Sequence, residues 1–242
     1  MSTLEQMARH RMARVHTFAM IFAASVLVAI LCFGTSAWLW SSGRGDQTVL
    51  LTIVGGMALF GAASASAFMG HYRKRANDAL IGARAEQAMQ KRLAALTERG
   101  FAVINDLSVR ALGNIDHLVI APDASRIWVI ETKAYQKSPP PQTTIMPDIS
   151  YRLSRVIHAG RQAMRAQQTV AAALAIPLDG VTPMVALPLM RTPLDMEIIV
   201  DNVRIRCADG GAIVQRILAD APKAMKNGAS AFMEQRIRTT IN

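Results

Sequence analysis

The chain has 242 residues, 27 of them Lys or Arg against 17 Asp or Glu, for a formal net charge of +10. It carries two cysteines, Cys32 and Cys207, far apart in sequence, which excludes a disulfide framework and a cysteine-based metal cluster. Hydrophobic residues make up 51% and mean hydropathy is +0.22, with the apolar excess concentrated at the N-terminus. A basic balance of this size predicts an anionic partner: nucleic acid, lipid headgroups, or both. The chain has no GxxxxGK phosphate loop, no HExxH and no nucleophile elbow, so those three chemistries are also excluded.

Residues 17–43 contain no charged residue or histidine, and residues 47–70 contain none either. A membrane helix needs ~20 residues, whereas the apolar core of a signal peptide runs to only ~7–15. Two retained transmembrane helices are therefore expected, at about 17–40 and 47–70. Trp38 and Trp40 close the first as an interfacial belt would, and the link from Ser41 to Asp46 is short enough to require a helical hairpin. Gly55, Gly56, Gly61 and the alanines and serines after it let helices approach closely, within the hairpin or in a homo-oligomer or membrane complex. Arg9, Arg11 and Arg14 precede the first span and Arg73, Lys74 and Arg75 follow the second. The positive-inside rule then gives a multi-pass protein of the inner (cytoplasmic) membrane with both termini cytoplasmic. The expected organisation is a tail at 1–16, the hairpin at 17–72 and one cytoplasmic domain at 73–242.

Within that domain, Ile81, Ala85, Met89, Leu93 and Leu96 recur at helical spacing and predict a helix over 77–99, capped by Gly100. Strands are expected at 101–107, 115–120 and 127–134, the last two joined by a turn at Pro122-Asp123. Three prolines, Pro139 to Pro141, predict a loop up to Asp148. A long helix follows over 150–174, then strands at 181–187, 197–200 and 203–207, and closing helices at 210–221 and 223–238. This order predicts an α/β fold with a mixed sheet flanked by helices, preceded by the transmembrane hairpin.

The stretch Gly113–Tyr135 holds the candidate chemistry. Glu131 and Lys133, two apart on a strand, share a face, and Asp116 on the neighbouring strand can come level with Glu131. Two carboxylates across adjacent strands suit a hard cation, Mg²⁺ or Mn²⁺, which would polarise a phosphate and acidify a bound water. Lys133 would orient that water or offset developing charge. The same pattern also occurs at exposed strand ends with cross-strand ion pairing. Glu86 is a third carboxylate, beside the apolar face marked by Ala85 and Met89; it can turn toward the sheet or pair with Gln90 or Arg165. His117, next to Asp116, is expected to pack on the opposite face of the sheet. Arg152, Arg155, Arg161 and Arg165 form a basic stripe that could follow a DNA backbone, meet anionic lipid or be a solvated face.

GNIDHLVI followed by VIETKAY, with Gly82-x-x-x-Glu86 upstream, resembles the nuclease-related domain (NERD) family of the PD-(D/E)XK nuclease-like superfamily. The resemblance runs from about Gly82 to Leu174. It implies a restriction-endonuclease-like fold, with Glu86, Asp116 and Glu131 as metal-binding acids and Lys133 as catalytic lysine. It also implies a role for Gln162, which is similar to the family's helix glutamine. The sequence departs from the family after Tyr135, where Gln136-Lys137-Ser138 and the three prolines stand in place of a Gly- and Trp-containing hairpin, and at His158-Ala-Gly160, which replaces an Asn-Pro. Two functions are expected from this reading. One is a membrane-anchored, divalent-metal-dependent nuclease hydrolysing phosphodiester bonds, with DNA ahead of RNA as substrate. The other is a non-catalytic membrane-bound module that binds nucleic acid or assembles a DNA-handling or conjugative complex.

Overall fold

A computed structural model of the chain describes residues 3–45, 48–109, 113–135, 147–191, 193–221 and 229–241, and for 3–5, 147–153 and 241 the backbone alone. The chain divides into two compact units, Met1–Ala83 and Arg84–Asn242.

The first unit is an antiparallel pair of helices, α1 (Thr3–Ser41) and the leading part of α2 (Thr48–Thr97). The chain reverses over a tight link in which Gly43 adopts a left-handed φ of 76°. Small residues line the seam. A Cβ on Gly55 would stand 3.0 Å from the Phe33 ring and 3.3 Å from Cys32, and one on Gly61 would stand 3.4 Å from Ser25 Oγ. Ala62 and Ala65 are buried between them. The expectation that glycine and alanine pack the hairpin on itself is met at these positions. Lower down, Phe18 stacks on Phe68 at 5.2 Å and on Tyr72 at 5.5 Å. Arg14 lies over the Tyr72 ring and donates to its hydroxyl at 3.1 Å, and Arg11 donates to the Arg75 carbonyl at 2.9 Å.

The outer surface of the hairpin is apolar. Phe60 is 77% exposed, Trp40 72%, Leu50 70% and Met57 70%. Only 6% of the most apolar window of α1 is buried, and 22% of that of α2. A core helix of a soluble domain would be largely covered. Both helices are long and apolar enough to cross a membrane.

α2 contains no proline, and its helix continues to Thr97 where the sequence reading separates a span from a following helix. Its residues from Arg84 onward belong to the second unit. The predicted glycine cap is present: Gly100 has φ 87°, its N–H bonds to Thr97 O at 3.0 Å, and Phe101 N–H reaches Leu96 O at 3.2 Å. That is the Schellman arrangement, which glycine favours because it has no Cβ to clash.

Six strands form one mixed sheet among the described residues: β1 (Ala102–Val109), β2 (Gly113–Ile120), β3 (Ile127–Thr132), β4 (Val181–Ala186), β5 (Asp195–Val200) and β6 (Val203–Ala208). Their spatial order is β1-β2-β3-β4-β6-β5. The first three make an antiparallel meander. The Pro122-Asp123 turn closes its second hairpin, with Asp123 Oδ1 accepting from Ser125 N–H at 3.1 Å. β3 and β4 are parallel, which demands a crossover, and α3 (Pro147–Leu174) supplies it. β4 pairs parallel with β6 and β5 antiparallel with β6. The closing helices are α4 (Gly210–Asp220) and α5 (Ala229–Ile241). The mixed α/β architecture is thus as expected. The proline loop lies largely on 136–146 and the start of the last predicted helix on 222–228, both outside the described residues.

The sheet has a core on each face. Ile104, Leu118, Ile127 and Val129 pack with Ala166, Val170 and Leu174 of α3 and Ile237 of α5. Trp128, Ile130, Val119 and Met184 pack with Met89, Leu93 and Leu96 of α2 and Ile213 and Ile217 of α4. All six residues of β3 are buried, the pattern of a strand covered on both faces. A third cluster joins Ala159 of α3 to Ile198, Val200 and Ile205. There α3 approaches so closely that a Cβ on Gly160 would stand 2.8 Å from Val200 Cγ2 and 3.2 Å from Ile205 Cδ1.

Gly160→Val is expected to overpack this contact and destabilise the second unit by about 1–3 kcal/mol. The measurement is guanidinium unfolding in detergent, followed by the fluorescence of Trp128, the one tryptophan in that unit. An unchanged midpoint would show that α3 does not lie this close to the sheet.

Candidate active site

β2 and β3 run antiparallel with His117 opposite Ile130, and this register carries Asp116 to the level of Glu131. Asp116 Oδ2 accepts a hydrogen bond from Thr132 N–H at 2.7 Å. Lys133 Nζ donates to Glu131 Oε1 at 2.6 Å. The ion pair therefore lies along one strand, between positions two apart, and not across strands. Nor is the site an exposed strand end, since Glu131 is only 8% exposed and Thr132 7%. The backbone of Lys133 is fixed from the other side, where its N–H bonds to Ala186 O of β4 at 2.9 Å.

Burial and crowding set the protonation of these acids. Burial first, and then the charge of Glu131, pushes the Asp116 carboxyl up from 3.8 to about 8; the Thr132 hydrogen bond and Lys133 pull the other way. Glu86 comes from α2, half-buried. Burial and then the charges of Asp106 and Glu131 raise its carboxyl from 4.5 to about 7, with Lys133 opposing. Glu86 thus feels the same charges as the strand acids, the arrangement expected of a third acid turned toward the sheet.

Asp106 is an acid that the sequence reading passed over. It sits within β1 at a left-handed φ of 53°. The ladder passes from Asn105↔His117 to Leu107↔Ile115, around Asp106 and Asp116. Alternation slips there: Ile104 and Leu107 both reach the α3-side core, as do Ile115 and Leu118 opposite. Asp106 Oδ1 accepts from Asn114 Nδ2 at 2.6 Å. The clue in sequence was Asn105-Asp106, a turn-favouring pair inside an apolar strand.

His117 behaves as a packing residue. It is 1% exposed, its Nδ1 lies 2.7 Å from Asn105 Oδ1, and burial lowers its pKa to about 4. Gln162 lies on α3 with a buried Oε1 that has no hydrogen-bond partner among the described residues, so no bond joins that oxygen to the acids. The glutamine that anchors α3 is Gln167, whose Nε2 donates to Leu178 O at 3.0 Å and Val181 O at 2.6 Å. The arginine stripe is not a uniform free face: Arg161 is engaged with Asp201 through two bonds of 3.1 Å. The side chain of Arg152 lies outside the described residues.

Among the described residues, no three His, Cys, Asp or Glu side chains stand close enough to form a ready metal cage. The donor set nonetheless fits a hard divalent cation. Asp116 and Glu131 crowd together, Glu86 feels both Glu131 and Asp106, and Lys133 is the cation they share. Carboxylates so placed either keep a proton or take up another cation.

Residues 81–188 match the family model described as NERD, nuclease-related domain. The match covers the last turns of α2, β1 to β4 and α3, and so includes Glu86, Asp116, Glu131, Lys133 and Gln162. β5, β6, α4 and α5 complete the sheet and its helical layers beyond the match. No curated protein and no solved structure matches the chain.

The raised carboxyls give the second unit a pH signature. Glu86 and Asp116 hold protons in the folded state that the unfolded chain gives up above pH 4.5 and 3.8. The native state binds more protons up to about 8, so stability falls as pH rises through that window. His117 acts oppositely, but only below its ordinary value of 6.5. Between pH 6.5 and 8 Asp116 and Glu86 give up these protons, and the metal-free melting temperature is expected to drop. Asp116→Asn keeps an acceptor for Thr132 N–H and should flatten that slope. Equal slopes in the two proteins, read by thermal melting across this range, would remove Asp116 as its source.

Proposed function

We propose that the chain is a membrane-anchored, divalent-metal-dependent nuclease that hydrolyses phosphodiester bonds of nucleic acid, with DNA as the leading substrate. The observation that carries this reading is the buried pairing of Asp116 with Glu131 beside Lys133, with Glu86 within electrostatic reach.

Asp116, Glu131 and Glu86 would hold Mg²⁺ or Mn²⁺. When bound, such an ion polarises a phosphate oxygen and lowers the pKa of a coordinated water. Asp116 and Glu131 are held by the ladder on either side of them, so their oxygens need little reorganisation to act as ligands. Lys133, once its partner Glu131 turns to a cation, can place an Nζ N–H against a substrate oxygen. A compact charge on a flexible stem suits that task. Gln162, if it enters the site, would use its amide toward substrate or water.

The apolar hairpin supports the anchor. Arg9, Arg11 and Arg14 before it, and Arg73, Lys74 and Arg75 after the second span, favour an inner-membrane protein with both termini in the cytoplasm. The domain would then meet nucleic acid close to the membrane surface.

A second reading, a non-catalytic nucleic-acid-binding or assembly module, is favoured by the lack of three ready ligands among the described residues. The two readings diverge in the test tube. Protein purified in detergent is expected to cleave DNA with Mg²⁺ or Mn²⁺, and Lys133→Ala to lower the rate by about a hundredfold or more. Mn²⁺ binding, measured by calorimetry, should be lost in Asp116→Asn and Glu131→Gln and kept in Lys133→Ala. Cleavage that persists in Lys133→Ala overturns the proposed chemistry. Salt-dependent DNA binding with no cleavage under any divalent ion selects the second reading.

The anchor has its own measurement. The full chain is expected to remain in the membrane pellet after alkaline carbonate extraction, and release into the supernatant would overturn it.

A further inference from the structure

The first unit contains a cavity of about 550 Å³ where the lower part of α1 meets α2. Arg73, Lys74 and Asn77 line it as hydrogen-bond donors, Met12 and Leu80 form apolar wall, and Gly70 leaves one side open. No acidic residue lines it among the described residues. Arg73 and Lys74 are exposed and form no ion pair among the described residues, while their neighbours Arg11 and Arg14 are occupied by the Arg75 carbonyl and Tyr72.

Position along the helix narrows the ligand. Gly70 ends the charge-free run of residues 47–70, and Arg73 follows within one turn. If that run spans the bilayer, the cavity lies at headgroup depth, with its basic side chains just above the acyl boundary. A ligand there needs an anionic group for Arg73 and Lys74 and an apolar part that passes the open side at Gly70 toward the charge-free run.

We propose that this cavity is a binding site for one anionic phospholipid. Arg73 and Lys74 contact its phosphodiester, Asn77 donates to the headgroup, and the acyl chains pass Gly70 toward the apolar span. A nucleic-acid phosphate would satisfy the charges but has nothing to place against the charge-free run that ends at Gly70, and the candidate nuclease acids lie in the other unit. The site rests on the membrane-anchor reading and adds to it a defined lipid preference at a defined place.

The full chain is reconstituted in phosphatidylcholine nanodiscs containing a minority of phosphatidylglycerol, and the lipid retained on the released protein is counted by native mass spectrometry. One phosphatidylglycerol per chain is expected, in preference to phosphatidylcholine. Arg73→Gln with Lys74→Gln should lower its occupancy at least tenfold. Arg9→Gln with Arg75→Gln removes the same charge outside the cavity and should leave occupancy near wild type. Gly70→Leu keeps every charge but fills the open side; a Cβ there meets nothing within 4 Å, so the fold should hold while lipid is lost. Equal losses in the two double variants, or full retention in Gly70→Leu, would show general surface attraction and overturn the site. Displacement of the lipid by a short DNA duplex in stoichiometric amount would reassign the cavity to nucleic acid. Failure to enter pure phosphatidylcholine nanodiscs overturns the anchor and the site together, whereas entry without selective retention overturns the site alone.

Discussion

The candidate site depends on carboxylates that the sheet does not let reach water. β3 is paired on both sides, to β2 and to β4, and all six of its residues are buried. Glu131 pairs with Val185 across the ladder, and Lys133 N–H is tied to Ala186 O. These bonds fix where each side chain leaves the backbone. Desolvating an unpaired carboxylate costs several kcal/mol, so the charge must be answered locally. The answers present are one ammonium, one backbone N–H and protons retained on Asp116 and Glu86. The divalent cation proposed for the site would be a stronger answer than any of these.

The hairpin meets the reverse constraint. Its seam is lined by small residues that admit close backbone approach, while Phe60, Met57 and Leu50 face outward. In water that surface would oppose the fold at about 25 cal/mol per Å² of apolar area. In a bilayer it costs nothing, and close packing of Gly55 against Phe33 becomes a main source of cohesion. The basic residues that bracket the apolar runs cluster at one end of the hairpin.

Much of the fold was legible in the sequence because the signals were local. Short continuous apolar runs marked β2 and β3, the Gly100 cap marked the end of α2, and the short Pro122-Asp123 turn fixed which strand faced which. The level of Asp116 with Glu131 followed from that turn, and Glu86 from helical spacing against Met89. What escaped depended on distant partners or broken rules. Asp106 was hidden because alternation fails at that residue, where a left-handed φ turns the strand over while the ladder to β2 keeps its register. Arg161 read as free until a loop forty residues on brought Asp201 against it. Gln162 was placed by resemblance alone, and the described residues give its Oε1 no partner.

By itself the sequence determined the elements, the apolar hairpin and the identity of the acids and lysine, since each is written in the spacing of neighbouring residues. Only the tertiary structure decided that the strand acids are buried, that Asp106 lies close enough to raise Glu86, and that Lys133 is the cation Glu86, Asp116 and Glu131 share. Burial and electrostatic coupling are properties of three dimensions: they depend on which layers cover β3 and on how α2 lies against it, and no local pattern encodes either.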